Sequence, residues 1–463
     1  MAGHLTRWTG KLKDELLVNP VIGETLSSRA IEGACRELGH VWRESFWSPT
    51  VTAITFCFQV LSAEKTLRAA VADLLTQLTA LGQEDVPSAD PTAYCQARQR
   101  LPGDVLTGML GHVVQRIKAC PTSASAWQGR RVWLGDGTTV SMPDAPALQK
   151  AFPQPAGQKK GCGFPVARLA ALFCWTTGAI VDVAIDSLHT HELTLFRKLW
   201  HHFRSGDVVV YDRAACAYTD ITRLLNNGVF CAFRMHQRRK ADFRKGKRLG
   251  KDDQRVQWPR PRQWLKSMGI SREAFEQLPE TLDVRMVRIT DIPKGFRSRT
   301  IVVITTLLDP VETPADDIRA LYRDRWLTEL NLRSIKVQLG MDILRGQSVD
   351  VVRKEIVMHL VVYNLIRLLM WQAAQTHGRN LHRLSFAGTL HRLRDMLPLV
   401  LGARQNAEAQ RLMAQLLSWI ADDLVPDRPN RLEPRRKKRR PKQYSLLVKP
   451  RHQYRHRPDT GAR

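Results

Sequence analysis

The segment Tyr322 to Lys336, YRDRWLTELNLRSIK, carries a phenol, a guanidinium, a carboxylate and an ammonium at Tyr322, Arg325, Glu329 and Lys336. At ~100° per residue these four side chains fall within roughly 60° of one another on a helix. A helix stripe that faces a core is apolar, and this one is not. A carboxylate can hold a hard divalent cation. A guanidinium can fork onto a phosphate, an ammonium adds a compact charge, and a phenol can donate to a phosphate oxygen. Such a set suits metal-assisted phosphoryl transfer on DNA. Arg333, in the same segment, is grouped with the DNA-contacting residues. Trp326 falls on an adjoining face, where core packing is expected.

Two further acids belong with this stripe. Asp136 stands in WLGDGTTV, and Asp212 ends the apolar run VVVYD. Taken singly, each is ordinary: an Asp at a strand end is usually a turn or capping residue, and a Glu in a helix is usually solvated. The polar stripe around Glu329 changes that reading. Three carboxylates suffice for two ions ~3.5–4 Å apart, which can activate a nucleophile and stabilise a leaving oxygen. Asp136, Asp212 and Glu329 are therefore the candidate catalytic and metal-holding residues. Mg²⁺ is the expected ion, with Mn²⁺ as a substitute. His189 and His191 in LHTHE suit capping or solvent better than Mg²⁺, because imidazole is a poor partner for that ion. Lys159 and Lys160 fit a phosphate contact and an ordinary loop equally well.

The elements that must position these residues follow from pattern. Residues 1 to about 125 read as helical, with amphipathic runs at 27–43, 64–82 and 103–118. In TAYCQARQRLP, Gln96, Arg98 and Arg100 suit a DNA-contacting helix or a solvated face. The period then changes. RRVWLGDGTTV, RLAALFCWTTG and AIVDVAIDSL read as three strands. A helix HELTLFRKLWHHF, the strand ending at Asp212, a helix over 218–227 and the strand VFCAFRM follow. A mixed sheet covered by helices is expected. Residues 236–308 read as a basic, mostly β insertion carrying Trp258 and Trp264. Thr313 as N-cap and Pro314 at the first position open one long helix, with Asp316 and Asp317 complementing its positive end and Gly340 as its stop. Helices are expected over 351–376 and 383–422. From residue 431 the chain reads as a basic disordered tail.

The 463 residues, 43% hydrophobic and 25% charged, provide for two or three domains with real cores. Net charge is +27 and the sequence pI about 10.3. Residues 434–463 contribute +11 of this, so the excess is not confined to the tail. A polyanion is the expected partner, with nucleic acid ahead of a membrane surface. Eight cysteines without a CxxC pair read as free thiols in a reducing compartment. No apolar stretch reads as a signal peptide or a membrane span, and a cytoplasmic, nucleoid-associated protein is expected.

At these residues the chain resembles the IS4-type bacterial DDE transposases. That family carries Y-(2)-R-(3)-E-(6)-K, matched here by Tyr322, Arg325, Glu329 and Lys336. The block Asp136-Gly-Thr-Thr and the strand ending Asp212-Arg213 are similar to the family's Asp blocks. LRGQSVDVVRKEIVMHLVVYNLIR resembles the helical segment after the signature. The resemblance spans roughly 130–375. It implies an α/β RNase H-like catalytic core with a β insertion; that core is expected over 126–430, beside an N-terminal helical DNA-binding domain expected over 1–125. It also implies metal binding by Asp136, Asp212 and Glu329, and end-DNA contacts by Tyr322, Arg325 and Lys336. In some members an insertion tryptophan stacks a flipped base, a role open to Trp258 or Trp264. The implied activity is cut-and-paste transposition, with a dimer in the synaptic complex. Rival readings are a non-catalytic DNA-binding derivative, an RNase H-fold nuclease that cuts without joining, and a basic RNA-binding protein.

Overall fold

The computed structural model describes residues 20–80, 82–83, 86–119, 127–290, 300–403, 405–426, 447–450 and 453–454. The basic tail expected over 431–463 lies largely outside the described residues. The chain forms two compact units. One comprises residues 1–125, 173–181 and 330–427; the other comprises 126–172, 182–329 and 428–463. These units divide the chain differently from the expected domains. Residues 330–427, read as a continuation of the catalytic domain, cluster with the N-terminal helices instead.

The helical unit begins with α1 (Pro20–Thr25), α2 (Ser28–Glu37), α3 (Pro49–Leu61), α4 (Leu67–Ala80), α5 (Thr92–Arg100) and α6 (Gly103–Ala119). The sequence period marks α2, α4 and α6. It misses α3, PTVTAITFCFQVL, because that helix is apolar nearly all round and carries six β-branched residues. Ser48 caps α3 by accepting from the Val51 amide, Pro49 sits in the first turn, and almost every side chain is buried. A helix without a polar face gives no amphipathic signal.

The second unit holds β1 (Val132–Ser141), α7 (Pro146–Ala151), β2 (Val166–Cys174), β3 (Ile180–Ser187), α8 (Glu192–Lys198), β4 (Val208–Tyr211), α9 (Tyr218–Asn226), β5 (Phe230–Arg234), β6 (Lys247–Gly250), β7 (Asp253–Pro259), α10 (Arg272–Glu276), β8 (Thr281–Ile289), β9 (Ile301–Thr305), α11 (Ala315–Arg323) and α12 (Trp326–Arg333). The tip of the β2–β3 hairpin and the end of α12 count with the helical unit. The sheet order is β3-β2-β1-β4-β5-β9-β8-β7-β6. β1, β4 and β5 run parallel, and β5, β9, β8, β7 and β6 run antiparallel in turn. All four residues of β4 are buried, as parallel strands with both faces covered require. The insertion strands thus extend the central sheet rather than forming a separate one.

Arg285 of β8 is fully buried. It pairs with Asp253 of β7 through two bonds of 2.8 and 2.6 Å and donates to the carbonyls of Leu307, Asp309 and Thr313. It therefore ties the insertion to the loop that launches α11. Arg285→Ala would leave Asp253 buried without its partner, and such a loss costs about 3–5 kcal/mol. A lowered thermal midpoint, with Asp253→Asn/Arg285→Met recovering part of it, is the expected outcome.

The expected single helix from Thr313 is broken. α11 starts at Ala315 with Pro314 as its N-cap, and Thr313 is buried and bonded to the Asp309 carbonyl. At Asp324–Arg325 the hydrogen bonds tighten to i−3: Arg325 to Tyr322, Leu327 to Asp324, Thr328 to Arg325. After α12 the chain widens into a π turn at Ser334–Gln338. Gly340, at φ +72°, ends the segment as expected.

The helical unit is completed by α13 (Val349–Thr376), α14 (Phe386–Gly402) and α15 (Asn406–Asp422). α13 is long and apolar enough to cross a membrane, but 83% of its most apolar window is buried within the protein. Its polar residues have structural partners: Asn364 bonds both backbone groups of Ile180, Tyr363 the carbonyl of Gly178, and Arg367 that of Thr177. Of the described cysteines, all unpaired, Cys35, Cys57, Cys216 and Cys231 are buried and Cys95, Cys162 and Cys174 half-buried.

Candidate active site

The parallel pairing of β1 with β4 sets Leu134 opposite Val210. Asp136 and Asp212 each lie two residues further along, so both acids leave the ladder at the same level and at the same end of the sheet. That is the end at which parallel strands present ligands. Gly135 makes the approach possible. A Cβ there would lie 2.4 Å from the Tyr211 ring, which packs on Phe196 with centroids 4.2 Å apart.

The Asp212 carboxylate accepts from the Ala214 amide at 2.7 Å, which caps the turn after β4. Asp136 is held by the Gly137 amide at 2.9 Å and the Thr328 hydroxyl at 3.2 Å. Arg325 donates to Glu329 at 2.7 Å and reaches Asp136 at 3.5 Å. The break in the helix serves this bridge, because the i−3 bonds turn Arg325 toward the strand ends. Burial pushes the Asp136 carboxyl up to about 6. Arg325 and the Gly137 amide oppose that shift, and Asp212 and Glu192 add to it. A carboxylate raised by burial and by two neighbouring acids is under-compensated in the protein alone, which a bound cation would remedy. The oxygen-rich donor set fits a hard divalent ion.

Glu192, at the start of α8, is a member of this acidic group that the sequence reading missed. Its Oε1 accepts from the Tyr211 hydroxyl at 2.9 Å. An acid in the first turn of a helix looks like a complement to the helix dipole, so nothing in the sequence marked it. His191, one residue before, caps α8 through Nδ1, as expected for this pair of histidines, while the exposed His189 takes no part in that cap.

Other candidate residues are placed as follows. Tyr322 is buried, near Arg325, Arg234 and Asp212, and burial raises its hydroxyl pKa. Trp326, expected in the core, is 49% exposed. The tightened turn before it rotates the indole outward. Lys336, in the π turn, and the exposed Arg333 belong to the helical unit, whereas Tyr322, Arg325 and Glu329 belong to the other. Trp258 is buried, with the Arg239 guanidinium 4.0 Å from its ring centroid. Trp264 lines a cavity of about 610 Å³ with Arg260, Arg262 and Arg272. In α5, Gln96 and Arg100 are exposed, but Arg98 is buried against Phe56 and Gln59, so it is neither solvated nor presented to DNA. Lys159 and Lys160 are exposed in a loop. Among the described residues, Asp182, His201 and His202 have ligand atoms within 4.8 Å of one another, a spacing that Asp136, Asp212 and Glu329 do not reach, but their imidazoles suit Mg²⁺ poorly.

The chain is similar to known proteins. The profile of the transposase DDE domain family matches residues 127–365. The chain is 23% identical over 438 residues to transposase InsG for insertion sequence element IS4 of Escherichia coli (strain K12), covering 94% of this chain and 95% of that protein. A solved structure, the piggyBac transposase synaptic complex with hairpin DNA, is similar at a TM-score of 0.43 and 10% identity, covering 87% of this chain and 83% of that one. Strands β3-β2-β1-β4-β5 form the RNase H-like part of the sheet. The family acts on DNA with divalent metal. This chain belongs to the transposase DDE domain family and is an IS4-type DDE transposase, an enzyme of DNA cleavage and strand transfer.

Proposed function

We propose that the chain performs cut-and-paste transposition with Asp136, Asp212 and Glu329 as its catalytic carboxylates, holding two Mg²⁺ ions for which Mn²⁺ substitutes. The observation that carries this reading is the level placement of Asp136 and Asp212 at one end of the β1–β4 pair, with Arg325 joining Asp136 to Glu329. The ions, when bound, supply Lewis-acid stabilisation of the charge that develops at the phosphorus. In the first step a water oxygen attacks the phosphorus at the element's end, the bond to the 3′ oxygen breaks, and that oxygen leaves as a 3′-OH. In the second, this 3′-OH attacks a target phosphodiester and displaces the target's own 3′ oxygen.

Within this reading Arg325 exchanges a carboxylate for a DNA phosphate, because its fork fits either. Tyr322 supports Arg325 from the buried side. Trp326 offers an exposed ring beside the cleaved end. Lys336 and Arg333 contact DNA phosphates. Of the two insertion tryptophans, Trp264 is the one placed to stack a flipped base, since its cavity is lined by three arginines, whereas Trp258 already stacks with Arg239. The protein works in the cytoplasm, on DNA, as a dimer when two ends are synapsed.

End binding is expected to be strongly salt-dependent. A net charge of +27 implies several neutralised phosphates. With about six to ten such contacts, affinity falls by about 10³–10⁵ between ~50 and ~200 mM salt. A fluorescence-anisotropy titration across that range checks it, and a flat response speaks against DNA as the partner. The reaction itself is tested with labelled duplexes from the flanks of the gene, Mg²⁺ and a supercoiled target plasmid. Cleaved ends that become joined to plasmid support the proposal. Cleavage without joining makes the protein a nuclease, and binding without cleavage makes it a non-catalytic derivative.

A further inference from the structure

We propose that Glu192 is a fourth carboxylate of the metal centre, a direct ligand on the side of Asp136, an inference that rests on the metal-dependent reading above.

Three observations place it there. First, the carboxylate is seated against the residue after Asp136. A Cβ added at Gly137 would lie 2.2 Å from Glu192 Cδ and 2.3 Å from Oε2. The glycine is therefore required by Glu192 rather than by the backbone, since Gly137 has no positive φ. Second, the carboxylate is also fixed from the other strand. Tyr211, the residue before Asp212, donates to Oε1 at 2.9 Å. Glu192 is thus clamped between the neighbours of both aspartates, with Oε2 unused by that bond. Third, its helix is anchored. Leu193, Leu195 and Phe196 are buried, and Arg197 forks onto Asp220 of α9 at 2.8 and 2.9 Å.

Glu192 is half-buried, and among the described residues no cationic side chain forms an ion pair or hydrogen bond with it. A carboxylate held beside Asp136 without a cationic partner carries a desolvation and repulsion cost that a bound cation offsets. Tyr211 cannot supply one. Its phenol gives Glu192 a neutral hydrogen bond and no positive charge. The arrangement matches a carboxylate with one oxygen held by a protein donor and the other available to a metal.

The test measures Mn²⁺ binding by the full-length chain, read as the free-Mn²⁺ electron paramagnetic resonance signal, with melting curves for every variant. Glu192→Gln keeps an acceptor for Tyr211 and removes only the charge. It should weaken Mn²⁺ binding by about 10-fold or more without lowering the melting midpoint. Tyr211→Phe removes the hydrogen bond and keeps the charge, and should stay within about threefold of wild type. Gly137→Ala should weaken binding as Glu192→Gln does, by displacing the carboxylate. In a Glu192→Ala background it should add nothing, because the partner that made the glycine necessary is gone. If Tyr211→Phe is as harmful as Glu192→Gln, Glu192 is only a structural brace and the proposal falls. If Asp136→Asn loses Mn²⁺ while Glu192→Gln does not, the proposal falls and the three-carboxylate centre stands. If the wild type binds no Mn²⁺, both fall.

Discussion

Asp136→Asn should abolish end cleavage and, in the same protein, raise the melting midpoint. The loss follows from the proposed role of Asp136 as a charged metal ligand, and a fall of at least about 10³ in single-turnover rate, or ~4 kcal/mol, is expected. The gain in stability follows from burial. The Asp136 carboxyl is raised from 3.8 to about 6 in the folded protein. A raised carboxyl favours its protonated form on folding, so its contribution is fully present below pH 3.8 and is lost as pH rises through about 6. At pH 8, without metal, the ionised group therefore costs roughly 2–3 kcal/mol. Asparagine removes that cost, and because the shift to about 6 is already net of the attraction to Arg325, the expected gain is about 2–3 kcal/mol. Differential scanning fluorimetry in EDTA at pH 8 should show the variant melting higher, with the gap closing toward pH 5. A variant that melts lower at pH 8 would mean that Asp136 serves the fold rather than the chemistry.

Arg325→Ala should have the second largest effect, and its sign in stability is opposite. Arg325 spans Asp136 and Glu329, at 3.5 and 2.7 Å. Without it, acids at the strand ends face one another with less compensation. The metal-free variant should therefore melt below wild type, and added Mg²⁺ should recover much of the difference, because the ion takes over the guanidinium's role. Cleavage should drop by about 10²–10³, since the fork proposed to place the end phosphate is gone. End affinity should fall by about tenfold, the magnitude of one charge-assisted phosphate contact. Rate, anisotropy and melting in EDTA and in Mg²⁺ separate these effects. Equal destabilisation in both buffers would make Arg325 a structural residue.

How far the site could be read from sequence depended on the kind of signal each residue left. Asp136 stands within β1 where its buried apolar half ends, and Asp212 directly follows the apolar strand β4, a pattern that survives folding because parallel strands must be buried. Glu329 and Arg325 stood out because a polar stripe is anomalous on a packed helix. That stripe assumed uniform winding, and the winding is not uniform. The i−3 turn at Asp324–Arg325 and the π turn at Ser334–Gln338 depend on tertiary contacts, which periodicity does not record. Trp326 consequently faces outward, and Lys336 counts with the helical unit. Glu192 left no signal, because its significance lies in Gly137 and Tyr211, far away in sequence. Arg98 looked like a surface cation until Gln59 and Phe56 were seen around it. The partition into two units was equally hidden, since the apolar surface of α13 says that it must be covered but not by which helices.

The most direct test is the metal dependence of Asp136→Cys. A thiolate is a poor ligand for Mg²⁺ and a better one for Mn²⁺. If Asp136 touches the metal, end cleavage by the variant should be lost in Mg²⁺ and partly restored in Mn²⁺, while wild type cleaves in both. Cleavage that is equally lost in both metals, or equally retained, would contradict a metal centre at Asp136.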